Sequence, residues 1–181
     1  MPRRQDHTLI FADHPDFRPN LTPREMFSQG AFGGAYWRPI YSSVTDKNYK
    51  NKHKKYKFLS KIPETLLTCS EYDASKNKYG VHSGTSLEYW EDKGWITKWD
   101  PYGWVQWYCE FYSGRRCPDD ERQIARWRAF AGPTGRFFTR MVNNIKTSGK
   151  KYNDATVSPV IRQGLHHWAL EIRSNHVRVG A

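Results

Sequence analysis

The 181-residue chain is poor in the residues that usually build a core: Leu, Ile, Val and Phe together number 33. At a formal charge of +11, that shortage alone would predict disorder. No apolar run approaches the 18 or so residues of a spanning helix, and mean hydropathy is −0.87. The polar start MPRRQDHTLI has no secretory apolar segment, so a soluble intracellular protein without membrane contact is expected. Cysteine is scarce as well. Cys69, Cys109 and Cys117 cannot all pair, and none stands in a C-x-x-C, which excludes a zinc-knuckle or dithiol motif and leaves free thiols. Phosphate-loop, dinucleotide-fold, zincin and nucleophile-elbow signatures are also missing, so no cofactor and no metal are expected.

Aromatic residues fill the gap. Eight Trp, eleven Tyr and nine Phe outnumber the aliphatics, and each buried ring removes about 150 to 250 Å² from water. The fold class expected is mainly α: one compact domain of six to eight short helices on an aromatic-rich core, with at most a small β-hairpin. Residues 1–20, with three prolines, read as an extended arm anchored by Ile10, Phe11 and Phe17. Residues 21–175 read as the helical domain and 176–181 as a tail.

Four prolines mark helix starts, at Pro23, Pro101, Pro118 and Pro159. Thr22-Pro23-Arg24-Glu25 is a capping box, and Thr85-Ser86-Leu87-Glu88 is a second. Trp104, Trp107, Tyr108 and Phe111 share one helical face, while Val105, Cys109 and Tyr112 make the other face apolar too, which predicts a helix buried on all sides. Gly132-Pro133-Thr134-Gly135 separates two further helices. A last helix from Ser158-Pro159 carries Ile161, Leu165, Trp168 and Ile172. Gly30-Ala31-Phe32-Gly33-Gly34 predicts a tight turn feeding an extended segment around Tyr36 to Tyr41.

Charge is local. Residues 47–61 hold seven lysines and no acid, interleaved with Tyr49, Tyr56 and Phe58. Two readings stand: a solvated loop or helix with aromatic anchors, or a surface on which Lys50, Lys52, Lys54 and Lys55 track a phosphate backbone while rings stack on bases. Arg115 and Arg116, at the junction of two helices, and Arg136 and Arg140, after the glycine-rich loop, form a candidate phosphate patch; the alternative is that they bridge helices and cap carbonyls. His167 and Glu171 stand four apart and form a weak candidate acid/base pair. Asp119 and Asp120 form a weak candidate carboxylate cluster, for which helix capping is the competing account.

The words GAFGG, RPIYSS, DPYGW, DDERQI and PVIRQ resemble those of a family of small proteins from plants, fungi and large DNA viruses. The resemblance spans about residues 14–170. It implies one intact domain and supplies no activity and no catalytic residue. The function expected from the residues is therefore a basic, nucleic-acid-associated binding protein, DNA and RNA being indistinguishable, with a place beside other proteins in a larger ribonucleoprotein compatible with it. An enzyme acting on nucleic acid or a phosphorylated small molecule, and a structural or protein-interaction module, are the alternatives.

Overall fold

Residues 1–178 are described by the computed structural model. Helix α1 (Pro23–Ser28) has proline at its first position; Thr22 Oγ1 accepts from the Glu25 amide and Glu25 Oε2 accepts from the Thr22 amide, as Thr-Pro-Arg-Glu predicts. Arg3 ion-pairs with the same carboxylate and donates to Asn20 O at 2.8 Å, which straps the arm to the helix start. Phe11 and Phe17 anchor that arm in the core.

The hairpin pairs β1 (Ile40–Ser42) with β2 (Lys47–Tyr49), with Ile40 opposite Tyr49. Short 3₁₀ turns carry the chain from Lys52 to Lys76, and then come α2 (Leu87–Asp92), α3 (Trp104–Tyr112), α4 (Asp120–Ala131), α5 (Arg136–Ser148), α6 (Pro159–His167) and α7 (Ser174–Arg178). The fold is thus mainly α, with seven short α-helices and one two-stranded hairpin among the described residues. None of these helices is long and apolar enough to cross a membrane.

Helix α3 is buried from Trp104 to Phe111, as its all-round apolar pattern requires. Phe17 sits between Trp107, Tyr108, Phe111 and Trp127, with ring centroids 5.2 to 5.9 Å apart and mostly edge-on. The polar tips find partners: Trp107 Nε1 donates to Asp120 Oδ1 at 2.8 Å, Tyr108 Oη to Leu21 O at 2.6 Å and Trp127 Nε1 to Trp168 O at 2.9 Å. An aromatic core can therefore replace an aliphatic one without leaving buried donors unpaired at these rings.

Two proline starts fail. Helix α3 begins at Trp104 behind Gly103, and Asp100 is instead buried against Arg115; α4 begins at Asp120, leaving Pro118 in the preceding turn. The second capping box is displaced by one residue, since Ser86 rather than Thr85 accepts from the first turn of α2. Helix α6 stops at His167 because Ala169 takes φ 56°, so Trp168 and Ile172 leave the predicted stripe. Helix α7 occupies Ser174 to Arg178, across the start of the stretch read as a tail, of which 179–181 lie outside the described residues.

The GAFGG turn is a close approach of two backbones. Gly30 has φ +101° and a Cβ there would stand 2.2 Å from Lys76 O; at Gly33, with φ +58°, it would stand 2.7 Å from the Asp73 amide nitrogen. Only glycine lets this loop lie on residues 73–78, where Asn77 Oδ1 accepts from the Gly33 amide at 2.8 Å. The result is to fix Phe32, at φ 52°, against α6.

Candidate functional site

Where the GAFGG loop, α2, α6 and the α4–α5 junction meet, they leave a cavity of about 720 Å³, within the ordinary range for a small-molecule site. Its walls are aromatic. Trp90, Trp95, Trp104, Phe130, Phe137 and Trp168 line it together with Phe32 and Tyr36, and no Asp or Glu does. Phe130 stacks on Trp168 at 5.0 Å and lies 4.3 Å from Phe137, while Trp168 meets Trp104 at 4.7 Å.

His167 lies at the cavity lining with its ring stacked on Phe32, centroids 3.9 Å apart. The Phe32 amide and the Gln163 side-chain amide both approach its Nε2 at 2.9 Å, so Nε2 accepts and the ring proton resides on Nδ1. No described residue accepts from that Nδ1–H. Burial, with His166 and His82 nearby, holds the ring well below the usual imidazole range, so it is a neutral donor. The ring of Trp104 lines the space as well; its Nε1–H is buried, with no acceptor among the described residues, at a cost of about 1 to 3 kcal/mol.

Two guanidinium groups complete the lining. Arg126 stands 5.5 Å from the ring centres of both Trp95 and Trp168 and donates to Gln123 Oε1 at 2.9 Å. Burial, and then Arg122, lower it to about 10. Arg136 lies over Phe137 at 4.6 Å. Neither forms an ion pair with a carboxylate among the described residues. The cavity is thus rich in aromatic faces and N–H donors and has no anion of its own. It suits a planar, acceptor-rich, negatively charged ligand.

Of the candidates from the sequence, Arg136 and His167 reach this cavity. The four-arginine patch does not assemble in it: Arg115 makes a two-pronged pair with buried Asp100 at 2.9 and 2.6 Å, and Arg116 is tied to Asp13 and to the carbonyls of Phe111 and Arg115. These two bridge elements, the competing account. Arg140 is exposed and does not line the cavity. His167 and Glu171 do not meet, because the helix ends between them; Glu171 pairs with Lys78 and Arg173. Asp119 holds Arg122 and Gln123, and Asp120 accepts from Trp107 Nε1 and the Cys117 amide, so both are structural.

In the lysine tract the rings face inward. Tyr56 is buried, Phe58 packs on Tyr56 and Tyr112, and Tyr49 is half-buried with Lys52 over its ring, so the interleaved aromatics are anchors rather than stacking platforms. Lys55 binds both oxygens of buried Glu110, at 2.7 and 2.8 Å. Lys50 and Lys54 are exposed, Lys52 is half-exposed, and none of the three forms an ion pair among the described residues.

Sequence reasoning missed Arg126, Trp95 and Trp104 as lining residues. The available signal was Arg126 and Phe130, four apart on α4, a cation and a ring on one helical face. Among the described residues, no group of three or more His, Cys, Asp or Glu could hold a metal ion. Neither a protein-family model, nor a curated protein, nor a solved structure matches this chain.

Proposed function

We propose that this protein is a nucleic-acid-associated binding module whose aromatic cavity seats one unpaired nucleotide, its base among the rings and its phosphate on Arg126 and Arg136. The observation that carries the reading is the lining: aromatic walls, two guanidinium groups without carboxylate partners and no acid. Base stacking on aromatic side chains is worth about 1 to 3 kcal/mol per base, and a guanidinium offers phosphate a two-pronged contact. His167 Nδ1–H supplies a donor for the acceptor-rich edge of a base or for a phosphate oxygen. Lys50, Lys52 and Lys54 add a phosphate-attracting surface outside the cavity. An acid–base enzyme would need a proton acceptor in the cavity; His167 Nε2 is already occupied by two N–H donors.

Tryptophan fluorescence, titrated with a nucleoside monophosphate and with a short single strand, tests the reading, because four indoles line the cavity. Binding is expected for both, and Arg126→Gln should weaken it roughly tenfold, the equivalent of about 1.4 kcal/mol, and flatten the log–log salt dependence by about 0.7. Binding that Arg126→Gln and Arg136→Gln leave unchanged, or equal affinity for the uncharged nucleoside, would refute it.

A further inference from the structure

A second cavity, of about 600 Å³, adjoins the first and shares part of its lining, notably Phe32, Ser83, Thr85 and Trp90. Trp90 lines both spaces. Its Nε1 donates to Thr85 Oγ1 at 2.8 Å, which ties the indole to the segment crossing between the two spaces. Beyond it the chemistry repeats. Tyr72, Tyr89 and Tyr102 supply rings, His82 lies 4.6 Å from Tyr72, and no Asp or Glu lines the space. Arg38 supplies the cation: its guanidinium donates to Ala35 O at 3.2 Å and forms no ion pair among the described residues.

Two adjoining cavities, each with rings, an arginine without a carboxylate and no acid, match a ligand that repeats planar ring and anion. We propose that they are successive base subsites separated by Trp90, so that the ligand is two linked nucleotides, one phosphate directed to Arg126 and Arg136 and the next to Arg38. This rests on the single-nucleotide reading above and extends it. Both bases must be unpaired to enter, so a duplex is excluded as the ligand. The shared chemistry is two heterocycles joined by a sugar–phosphate linker, supplied by a single strand or by a free dinucleotide.

The test compares four probes on the full chain: a nucleoside monophosphate, the corresponding 3′,5′-dinucleotide with a 5′ phosphate, a five-nucleotide single strand and a duplex of the same sequence. The dinucleotide should bind at least about tenfold more tightly than the monophosphate, with a log–log salt slope steeper by about 0.7, one phosphate contact more. Arg38→Gln should bring the dinucleotide down to the monophosphate level, while Arg38→Lys, which keeps the charge, should retain part of the gain; thermal midpoints of both variants check that they are folded. A five-nucleotide strand binding as tightly as the dinucleotide assigns the groove to strands, and weaker binding assigns it to a free dinucleotide. A dinucleotide no tighter than the monophosphate, a gain that survives Arg38→Gln, or preference for the duplex overturns the second subsite while the single-nucleotide reading stands; no binding of any nucleotide overturns both.

Discussion

Acidification should destabilise this fold through His166, and the size of the effect follows from where its two nitrogens point. Nε2 lies 2.9 Å from Met26 O and donates to it, whereas Nδ1 is buried with no partner among the described residues. Protonation would add a second N–H with nothing to receive it. Burial, assisted by the charge of Lys78, therefore lowers the ring to about 4, against about 6.5 in the unfolded chain. The ring's contribution is fully present above pH 6.5 and is lost as the pH falls through 6 toward 4, because in that window the unfolded chain binds a proton that the folded one refuses. At about 1.36 kcal/mol per unit of pKa, the full effect is about 3 kcal/mol. Asp100 works in the opposite direction: burial raises it to about 6, so its contribution declines as the pH rises from about 4 to 6. Comparing the parent with His166→Gln cancels Asp100 and the other groups the two proteins share, and a glutamine amide can still donate to Met26 O. Urea unfolding of both proteins from pH 4.5 to 7 should give a stability difference that changes by about 1.4 kcal/mol per pH unit below pH 6. A difference independent of pH would show that His166 takes up its proton at the same pH in the folded and unfolded chains, and would refute the shift.

Two further perturbations test the frame of the site. Trp107→Ala removes a fully buried indole and its bond to Asp120, and should cost about 3 to 5 kcal/mol in denaturant unfolding; Trp107→Phe, which keeps most of the packing, should cost less than half of that. Gly33→Ala forces a left-handed residue against the Asp73 amide and should cost about 2 kcal/mol or more, with a matching loss in thermal midpoint and weakened ligand binding through displaced Phe32.

Much of the frame was legible because it depends on neighbours in sequence. The capping box at Thr22, the all-round apolar pattern of α3 and the glycine spacing of 30–34 are each carried by the residues of one helix or one loop, and each appears in the structure. At Pro118 a local turn closed by Cys117 and Asp120 holds back the start of α4. Pro101 misled because a tertiary demand outweighed a local preference: Asp100 is taken by Arg115 fifteen residues on, so it cannot cap a helix. The cavity was not legible for the same reason, enlarged. Its lining comes from segments spread between Phe32 and Trp168, and nothing in the spacing of Trp90, Trp104 and Trp168 announces that their rings face one space. Residue type failed as a guide among the arginines. Arg115 and Arg116 look like Arg136 in sequence, and only the positions of Asp100 and Asp13 reveal which of them are already paired.

The way Asn20 is fastened has a bearing on the order in which the molecule can be built. Its side-chain amide donates to Glu171 O at 2.8 Å and accepts from the Glu171 amide at 2.7 Å, while its own amide donates to Ala169 O at 3.0 Å. The two bonds to Glu171 join points 151 residues apart, and closing so long a loop precedes any reward from the contacts it brings together. During synthesis the arm, α1 and the GAFGG loop emerge early, yet Phe32 has no His167 to stack on until α6 has followed. Until α6 has been made, Trp90 and Trp104 lack the surface that encloses them, so a chain truncated before α6 leaves these rings uncovered.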